Sequence, residues 1–359
     1  MSVNALFGRG ASLLSRTTLS TIKSQFPRKD VVNSAPASAG FRYLSVSPAL
    51  NMKLVQFSHK SDPAIRVGFL DGDNVVDIHK LDSSLPTTLL DILKNGEIEK
   101  VKRLKATKEA SIPVSSVNLE APITGMDKVL CIGLNYMDHC AEQKLTPPAV
   151  PMIFNKFPSC VVGPKDAVRL RSVTTVGFLL SICNRRGDRM PPCGTPEKVD
   201  WEVELTVVIG KKASNVKAAD AFDYIVGYTV AQDISARDWQ KERNAGQFLL
   251  GKAMDTFCPI GPCITTSDEI GDPQNLKIQC SVNGVVKQTS KTDQLVHKIP
   301  DVIERLTSVT TLLPGDILLT GTPGGVGMYR SPPEYLKPGD VIKSEIENIG
   351  ELTTRVEAF

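Results

Sequence analysis

The sequence predicts a β-rich α+β protein with a large catalytic domain and a small N-terminal module. Short apolar runs outnumber helical patterns, turn residues separate these runs, and strands and helices do not alternate regularly. Of the 359 residues, 41% are hydrophobic, which is ample for a large core. The longest apolar run is about half the roughly 20 residues that a membrane-spanning helix needs, so we expect no membrane partner.

The positive charge of the chain is concentrated at its N-terminus. Residues 1–50 contain six Lys or Arg and one acid, whereas the remaining chain has 36 basic and 38 acidic residues. Residues 51–359 therefore lack the excess of positive charge that a nucleic-acid-binding domain would have. The leader is rich in Ser, Thr and Arg, with Leu and Phe between the cations. This composition is typical of a mitochondrial transit peptide, with a disordered tail as the alternative, and it predicts location in the mitochondrial matrix.

After the leader, residues 51–122 are predicted to form the small N-terminal module. Short strands joined by Asp/Gly turns open it, and a helix follows over residues 87–96. Residues 123–359 form the predicted catalytic domain. Its two Pro-Gly-Asp segments, at 314–316 and 338–340, predict type II turns that lead into strands.

Three acidic residues are predicted at points where strands meet the interior. Glu202 and Glu204 are two residues apart in a strand, so their side chains point to the same side, and an apolar run follows them. Asp233 ends a second apolar strand. Each has a simpler explanation, since a Glu-x-Glu pair can mark the solvated face of a strand and Asp is common in turns.

The location of these acids near the interior favours a cation site. Burying like charges costs several kcal/mol per ion unless a cation or another partner offsets them. Three carboxylates without a cluster of His or Cys suit a hard cation held through oxygen. We therefore expect Mg²⁺, with Mn²⁺ or Ca²⁺ as alternatives.

A histidine and a glutamate predict an acid–base pair on a short helix. His139 and Glu142 are i, i+3 neighbours, close enough for the carboxylate to orient the imidazole. On spacing alone, an exposed helical ion pair is the alternative. We expect Asn135 to cap this helix and Pro147-Pro148 to end it.

Three further segments carry local signals. Ser235 and Asp238 predict a capping-box-like start of a helix. Lys252 is either a surface lysine or an ammonium group aimed at a developing negative charge. The loop at 319–327 lacks the Gly-Lys-Ser/Thr ending of a phosphate loop, so nucleotide binding is not expected, but its N–H groups and Thr322 can bind a small anion.

Six segments occur in an order that resembles the fumarylacetoacetate hydrolase superfamily. They are GLNYMDHCAE, FNKFPS, VDWEVELTVVIGK, YTVAQDISARDWQ, GKAMDTFCPIGP and GDILLTGTPGGVG. A match of six motifs in order, over residues 125–330, is highly specific. The resemblance implies a multilayer β-sandwich roll, and it implies a homodimer because members of the family are usually dimeric.

The resemblance also implies roles for individual residues. The implied Mg²⁺ ligands are Glu202, Glu204 and Asp233. The implied catalytic residues, two on a lid over the substrate and one beside the reacting centre, are His139, Glu142 and Lys252. The positions that contact substrate carboxylates or carbonyls in the family are Lys156, Arg237, Gly321 and Thr322.

The resemblance further implies a reaction on a small 2-oxo acid. Members cleave, decarboxylate or tautomerise such acids, and the metal stabilises the enolate that develops. The founding hydrolase has a further Asp ligand upstream of its His, whereas CIGLN at 131–135 contains no acid. The subgroup that this chain resembles points to an oxaloacetate keto–enol tautomerase. Decarboxylation or C–C hydrolysis of oxaloacetate or an acylpyruvate is the alternative.

Residues 175–194 form an atypical insertion relative to that family. The segment brings two cysteines, an apolar run and a basic cluster, and it ends shortly before Glu202. It therefore puts the strand register at the metal-binding strand in question. An exposed loop and translated non-coding sequence are the two explanations. A catalytically silent structural or binding paralogue is the alternative from a different functional class.

Overall fold

A large mixed sheet is the central feature of the computed structural model, which describes residues 52–170 and 196–359. The predicted leader (1–50) and the atypical insertion (175–194) lie outside the described residues. None of the helices in the described residues has the length and apolar character needed to span a membrane.

Strands dominate the described residues, as the sequence predicts. Their bounds are β1 Lys53–His59, β2 Asp62–Asp71, β3 Asn74–Asp77, β4 Ser111–Pro113, β5 Val117–Leu119, β6 Val129–Gly133, β7 Met152–Lys156, β8 Val161–Val162, β9 Ala167–Leu170, β10 Val199–Asp200, β11 Val203–Ile209, β12 Ile225–Gln232, β13 Ser235–Ala236, β14 Cys258–Thr266, β15 Lys277–Val282, β16 Val285–Lys291, β17 Ile317–Leu319, β18 Val341–Ile346 and β19 Gly350–Ala358.

The α-helices of the described residues are short. Their bounds are α1 Ile78–Leu81, α2 Leu89–Lys94, α3 Ile98–Val101, α4 Met137–Glu142, α5 Leu249–Lys252, α6 Ser267–Ile270 and α7 Ile299–Thr307. Helix α2 confirms the helix predicted over 87–96. Thr88 Oγ1 accepts a hydrogen bond from Asp91 N at 3.2 Å, and Gly96 follows the helix with a φ of +71°.

The large sheet has the strand order β4-β3-β2-β1-β14-β12-β11-β17-β6-β7, with β5 beside β1 and β8 beside β14. Most neighbours are antiparallel, but β17 pairs with β6 and β8 with β14 in parallel. Leu54 of β1 lies opposite Ile264 of β14. The sheet therefore continues across the predicted boundary at residue 122, and the division into two domains stays a prediction.

A second sheet, in the order β16-β15-β18-β19-β9, packs on one face of the large sheet. Leu205 and Val230 from the large sheet and Ile278 and Leu352 from the second sheet are buried in one hydrophobic core. Because side chains alternate along a strand, the opposite face of the large sheet carries a second core, which includes Ile92 of α2. This layering confirms the predicted β-rich sandwich architecture.

Strands β11 and β12 place the candidate site. They pair antiparallel in continuous register from Val203 opposite Gln232 to Val208 opposite Gly227. The register that the insertion put in question is therefore regular. The start of β11 lies beside the end of β12, so residues before β11 and after β12 come together.

Both Pro-Gly-Asp segments form turns directly before strands, as predicted. Gly315 precedes β17 with a φ of +91°, and Gly339 precedes β18 with a φ of +99°. A type II turn requires positive φ at this position, which glycine adopts at low cost.

The predicted cap of α4 is wrong because a tertiary contact takes the capping side chain. The N-cap residue is Tyr136, which makes no side-chain cap bond. Asn135 Nδ2 instead donates to Thr320 O at 2.7 Å, and its Oδ1 accepts from His297 N at 2.7 Å. The helix also ends before Pro147-Pro148, and the left-handed φ of Lys144 (+56°) marks the turn after it.

The predicted capping box after Asp233 is also wrong. Ser235 lies in β13 and donates its hydroxyl hydrogen to Asp233 O at 2.8 Å. Asp238 precedes a π-helical turn and accepts from Glu197 N at 3.1 Å. Ser235 and Ala236 stay extended because β13 pairs with β10, a contact that local sequence does not reveal, and the helical turn begins only after them.

Candidate active site

Three buried carboxylates converge at the adjacent ends of β11 and β12. One oxygen from each of Glu202, Glu204 and Asp233 lies within 4.8 Å of the others, and the three residues are 5%, 2% and 0% exposed. Glu204 lies in β11, Glu202 directly precedes this strand, and Asp233 directly follows β12. We call this group the acidic triad, and its oxygen donors are of the kind that hold hard divalent cations.

Three cationic side chains surround the acidic triad. Lys252 Nζ lies 2.8 Å from Glu202 Oε2 and 2.6 Å from Asp233 Oδ2. Lys156 Nζ contacts the other oxygen of Asp233 at 2.6 Å. Arg237 Nη2 lies 2.7 Å from Glu202 Oε1. Two members of the triad are therefore paired within the protein, as buried charges require.

Glu204 is the member of the triad without a Lys or Arg partner among the described residues. Its Oε2 accepts a hydrogen bond from Gly321 N at 2.7 Å. Burial raises the pKa of Glu204 well above its ordinary value, and the carboxylates of Asp233 and Glu202 raise it further. Burial also opposes ionisation of Glu202, but the positive charges of Lys252 and Arg237 and the hydrogen bond from Lys252 together outweigh it, so the pKa of Glu202 is lowered. An added cation would therefore stabilise the ionised carboxylate of Glu204 more than those of the other two members of the triad.

Lys156 lies against Asp233 rather than among the residues that line the cleft described below. It is 1% exposed, and its Nζ also donates to Ile234 O at 3.1 Å. Burial lowers the pKa of Lys156, but the Asp233 carboxylate, with smaller contributions from three nearby cysteines, more than offsets this, so the pKa lies above its ordinary value. Lys156 therefore remains a cation that holds Asp233, and its substrate contact stays a prediction.

The acidic triad lines a cleft of about 280 Å³ through Glu202 and Glu204. This volume is just below the usual range for small-molecule sites, about 300–1,000 Å³, which favours a small substrate. The other predicted site residues that line it are His139, Arg237, Lys252 and Thr322. Apolar side chains complete the wall, including Ile132, Phe154 and Phe248.

The predicted His–Glu pair forms on α4, and its His139 lines the same cleft. His139 Nδ1 lies 2.6 Å from Glu142 Oε1, and His139 is 6% exposed, so this is not an exposed ion pair. When Nδ1–H donates to Glu142, the lone pair is on Nε2, which is 2.8 Å from Gln143 Nε2. Glu142 Oε2 accepts from Gly325 N at 2.8 Å, and this bond ties α4 to the glycine-rich loop.

Gly321 and Thr322 of the glycine-rich loop bind residues of β11 in this structure. Gly321, with a φ of +112°, directs its N–H to Glu204. Thr322 Oγ1 donates to Val203 O at 3.0 Å and accepts from Gln288 Nε2 at 2.8 Å. The polar groups of both residues thus position β11, and their contact with substrate stays a prediction.

Sequence reasoning missed several residues of this site, including Gln143, Asp200, Gln240 and Tyr329. Asp200 and Gln240 both accept hydrogen bonds from the Arg237 guanidinium, at 2.9 Å and 3.1 Å. Tyr329 lines the cleft, with its ring centroid 6.3 Å from that of His139. The Asp-x-Glu-x-Glu spacing was a signal for Asp200. Tyr329 had no local signal, because the fold brings it to the cleft.

This fold and site define an enzyme in which three buried carboxylates could hold a cation beside a His–Glu pair. Residues 128–357 match a family model described as fumarylacetoacetate (FAA) hydrolase C-terminal. The chain belongs to the fumarylacetoacetate hydrolase family, which confirms the prediction from the six motifs.

Relatives are similar to this chain over most of its length. The oxaloacetate tautomerase fahd2, mitochondrial, of Xenopus laevis is 44% identical over 330 residues, covering 91% of this chain and 97% of the relative. The oxaloacetate tautomerase Fahd2a, mitochondrial, of Rattus norvegicus is 47% identical over 313 residues, covering 86% and 93%. The solved fumarylacetoacetate hydrolase of psychrophilic Exiguobacterium antarcticum has a TM-score of 0.69 and 30% identity, over 86% of this chain and 100% of that chain.

Proposed function

We propose that this protein is a metal-dependent tautomerase that interconverts the enol and keto forms of oxaloacetate. The names of the relatives, at 44% and 47% identity, support this substrate. The observation that carries the proposal is the shared cleft, in which Glu202 and Glu204 of the acidic triad and His139 line one small cavity. The regular β11–β12 register supports an active enzyme over a catalytically silent paralogue.

The donor set of the acidic triad fits a hard divalent cation. All three donors are carboxylate oxygens within 4.8 Å of one another, and the cluster includes no His or Cys of the described residues. We therefore propose that Glu202, Glu204 and Asp233 hold Mg²⁺, with Mn²⁺ or Ca²⁺ as alternatives. A bound divalent ion polarises a 2-oxo group and offsets the negative charge that develops on its oxygen.

We propose that His139 moves the proton and that Lys252 stabilises the charge that forms between the two proton transfers. Conversion of enol to keto breaks one O–H bond at the C2 oxygen and forms one C–H bond at C3, so no other reactant is needed. Nε2 of His139 takes the proton from the C2 hydroxyl, because Glu142 occupies Nδ1–H and stabilises the imidazolium, and the imidazolium then returns the proton to C3. Lys252 Nζ stabilises the negative charge on the oxygen, and Arg237 attracts the substrate carboxylates.

Enol-oxaloacetate and its ultraviolet absorbance provide the test. With Mg²⁺ present, the protein should accelerate the decay of the enol absorbance beyond Mg²⁺ alone, and a chelator should remove this acceleration. A decay rate that the protein does not change would reject the tautomerase. Release of CO₂, or of a second acid, would instead identify decarboxylation or C–C hydrolysis.

We further propose that the protein is a homodimer of the mitochondrial matrix. The word mitochondrial in the names of the relatives and the composition of residues 1–50 support this location. A fluorescent reporter fused to residues 1–50 should enter the matrix, and light scattering of the purified protein should give twice the mass of one chain. A reporter that stays in the cytosol would contradict the matrix location, and a mass equal to one chain would contradict the homodimer.

A further inference from the structure

Asp200 is the centre of a buried hydrogen-bond network beside the acidic triad. Its side chain is fully buried. Four donors converge on its carboxylate, and their distances to it are 2.8, 2.9, 2.7 and 2.9 Å for Trp201 N, Arg237 Nε, Gly327 N and Met328 N. One carboxylate thus joins the metal-site strand, the arginine of the cleft and the loop that carries Tyr329.

We propose that Asp200 is a positioning residue that couples the Arg237 guanidinium to the loop at 326–329 and thereby sets the affinity of the cleft for the substrate carboxylate. The inference rests on the proposed function, because that function assigns carboxylate binding to Arg237. Asp200 itself does not line the cleft. It acts through the groups that it holds.

The arginine half of the network explains how Asp200 affects the acidic triad. Arg237 Nε and Nη2 each lie 2.9 Å from Asp200 Oδ2, and Nη2 is also 2.7 Å from Glu202 Oε1. Gln240 Oε1 holds Nη1 at 3.1 Å. Without the Asp200 carboxylate, the guanidinium would pair fully with Glu202. Asp200 therefore keeps part of the arginine charge away from a metal ligand and fixes the plane of the guanidinium fork.

Tight packing around Gly327 fixes the position of the loop at 326–329, the second partner of Asp200. A Cβ atom added at Gly327 would lie 2.1 Å from Glu334 O and 2.7 Å from Asp200 Oδ1, so only glycine fits there. Two residues later, Tyr329 lines the cleft near the imidazole of His139. The carboxylate that orients Arg237 thus also sets the cleft wall formed by Tyr329.

This network requires a side chain that accepts hydrogen bonds at both of its terminal atoms and carries no hydrogen on either of them. The four groups that bind the Asp200 carboxylate are all donors. In Asp200→Asn, the amide NH₂ must face the guanidinium or the loop N–H groups in either orientation. The substitution keeps the shape of the side chain but breaks the coupling on at least one side.

Asp77→Asn is the matched control. Asp77 is also fully buried, and it accepts from Arg66 Nη1 at 2.9 Å and from His79 N at 3.0 Å, but it does not line the cleft. Both variants should lower the Tm. We expect Asp200→Asn alone to raise KM and the Kd for oxalate by about tenfold or more, the scale of a lost charged hydrogen bond. Oxalate binding is measured by calorimetry on Mg²⁺-loaded protein.

Arg237→Met separates positioning from general destabilisation. If Asp200 acts through Arg237, then adding Asp200→Asn to Arg237→Met should change the Kd for oxalate less than about twofold. Asp200→Ser provides a second, smaller variant with the same expected rise in KM if Asp200→Asn does not fold. Equal oxalate affinities for Asp200→Asn and Asp77→Asn, or effects that multiply fully in the double variant, would overturn the proposal.

The two readouts distinguish this inference from the tautomerase itself. Oxalate binding needs no turnover, so a wild-type protein that binds oxalate but leaves enol-oxaloacetate unchanged rejects only the tautomerase. A wild-type protein that is active, with a KM that Asp200→Asn and Asp200→Ser do not change, rejects only the positioning role.

Discussion

Glu204→Gln gives the sharpest test of the acidic triad. The substitution removes the charge but keeps the shape, and the Gln carbonyl oxygen can still accept from Gly321 N. Burial and the charges of Asp233 and Glu202 already disfavour the Glu204 carboxylate in the metal-free chain. Without the cation, the variant should therefore be at least as stable as the wild type, because Gln is neutral and folding no longer has to protonate a buried carboxylate.

Glu204→Gln should reduce the stabilisation by Mg²⁺, although it does not lower the stability of the metal-free protein. A ligand that binds only the folded protein, at 100 times its Kd, stabilises it by about 2.7 kcal/mol. At roughly 2 °C per kcal/mol for a chain of this size, the wild-type Tm should rise by about 5 °C. Glu204→Gln removes one of three ligands, so its Tm should rise by less than about 1 °C in the same Mg²⁺ concentration.

Thermal unfolding with and without Mg²⁺ measures both effects. Glu120→Gln is a suitable control, because Glu120 accepts from Ser58 Oγ at 2.6 Å and does not line the cleft. It should keep the full response to Mg²⁺. The assignment of the triad as a cation site is refuted if Glu204→Gln and wild type gain equally from Mg²⁺.

Two more predictions follow from the site. Because the pKa of Glu204 is raised, the metal-free folded chain keeps a proton there at pH values where the unfolded chain has lost it, and Mg²⁺ must displace that proton. The rise in Tm with Mg²⁺ should therefore be larger at about pH 8 than at about pH 6, and an equal or smaller rise would contradict it. Glu142→Gln should lower kcat about ten- to hundredfold, because the imidazolium of His139 loses its carboxylate, while the Tm response to Mg²⁺ stays unchanged.

The sequence predicted the parts of the site that local geometry determines. The two-residue period of a strand placed Glu202 and Glu204 on one face, and the end of the next apolar run placed Asp233 beside them. The i, i+3 spacing of His139 and Glu142 likewise produced the observed 2.6 Å contact. Each inference needed only a short segment in a regular conformation.

Contacts between distant segments explain what sequence reasoning missed. Asn135 looked like a helix cap, but its side chain binds a backbone group of Thr320, 185 positions away. Lys156 contacts Asp233 across 77 positions, and Asp200 binds Gly327 N across 127. Such pairings depend on the order of strands in the sheet, which no local pattern in one sequence specifies.

The charge pairing around the acidic triad implies that the fold forms before the cation binds. A buried carboxylate without a partner costs several kcal/mol, and three together would oppose folding strongly. Lys156, Lys252 and Arg237 pair with Asp233 and Glu202, while the raised pKa of Glu204 lets that group fold as the neutral acid. The chain therefore supplies its own compensation for the triad. Since its partners hold the triad in place, the cation would bind to carboxylates that are already converged, and little further ordering would reduce its affinity.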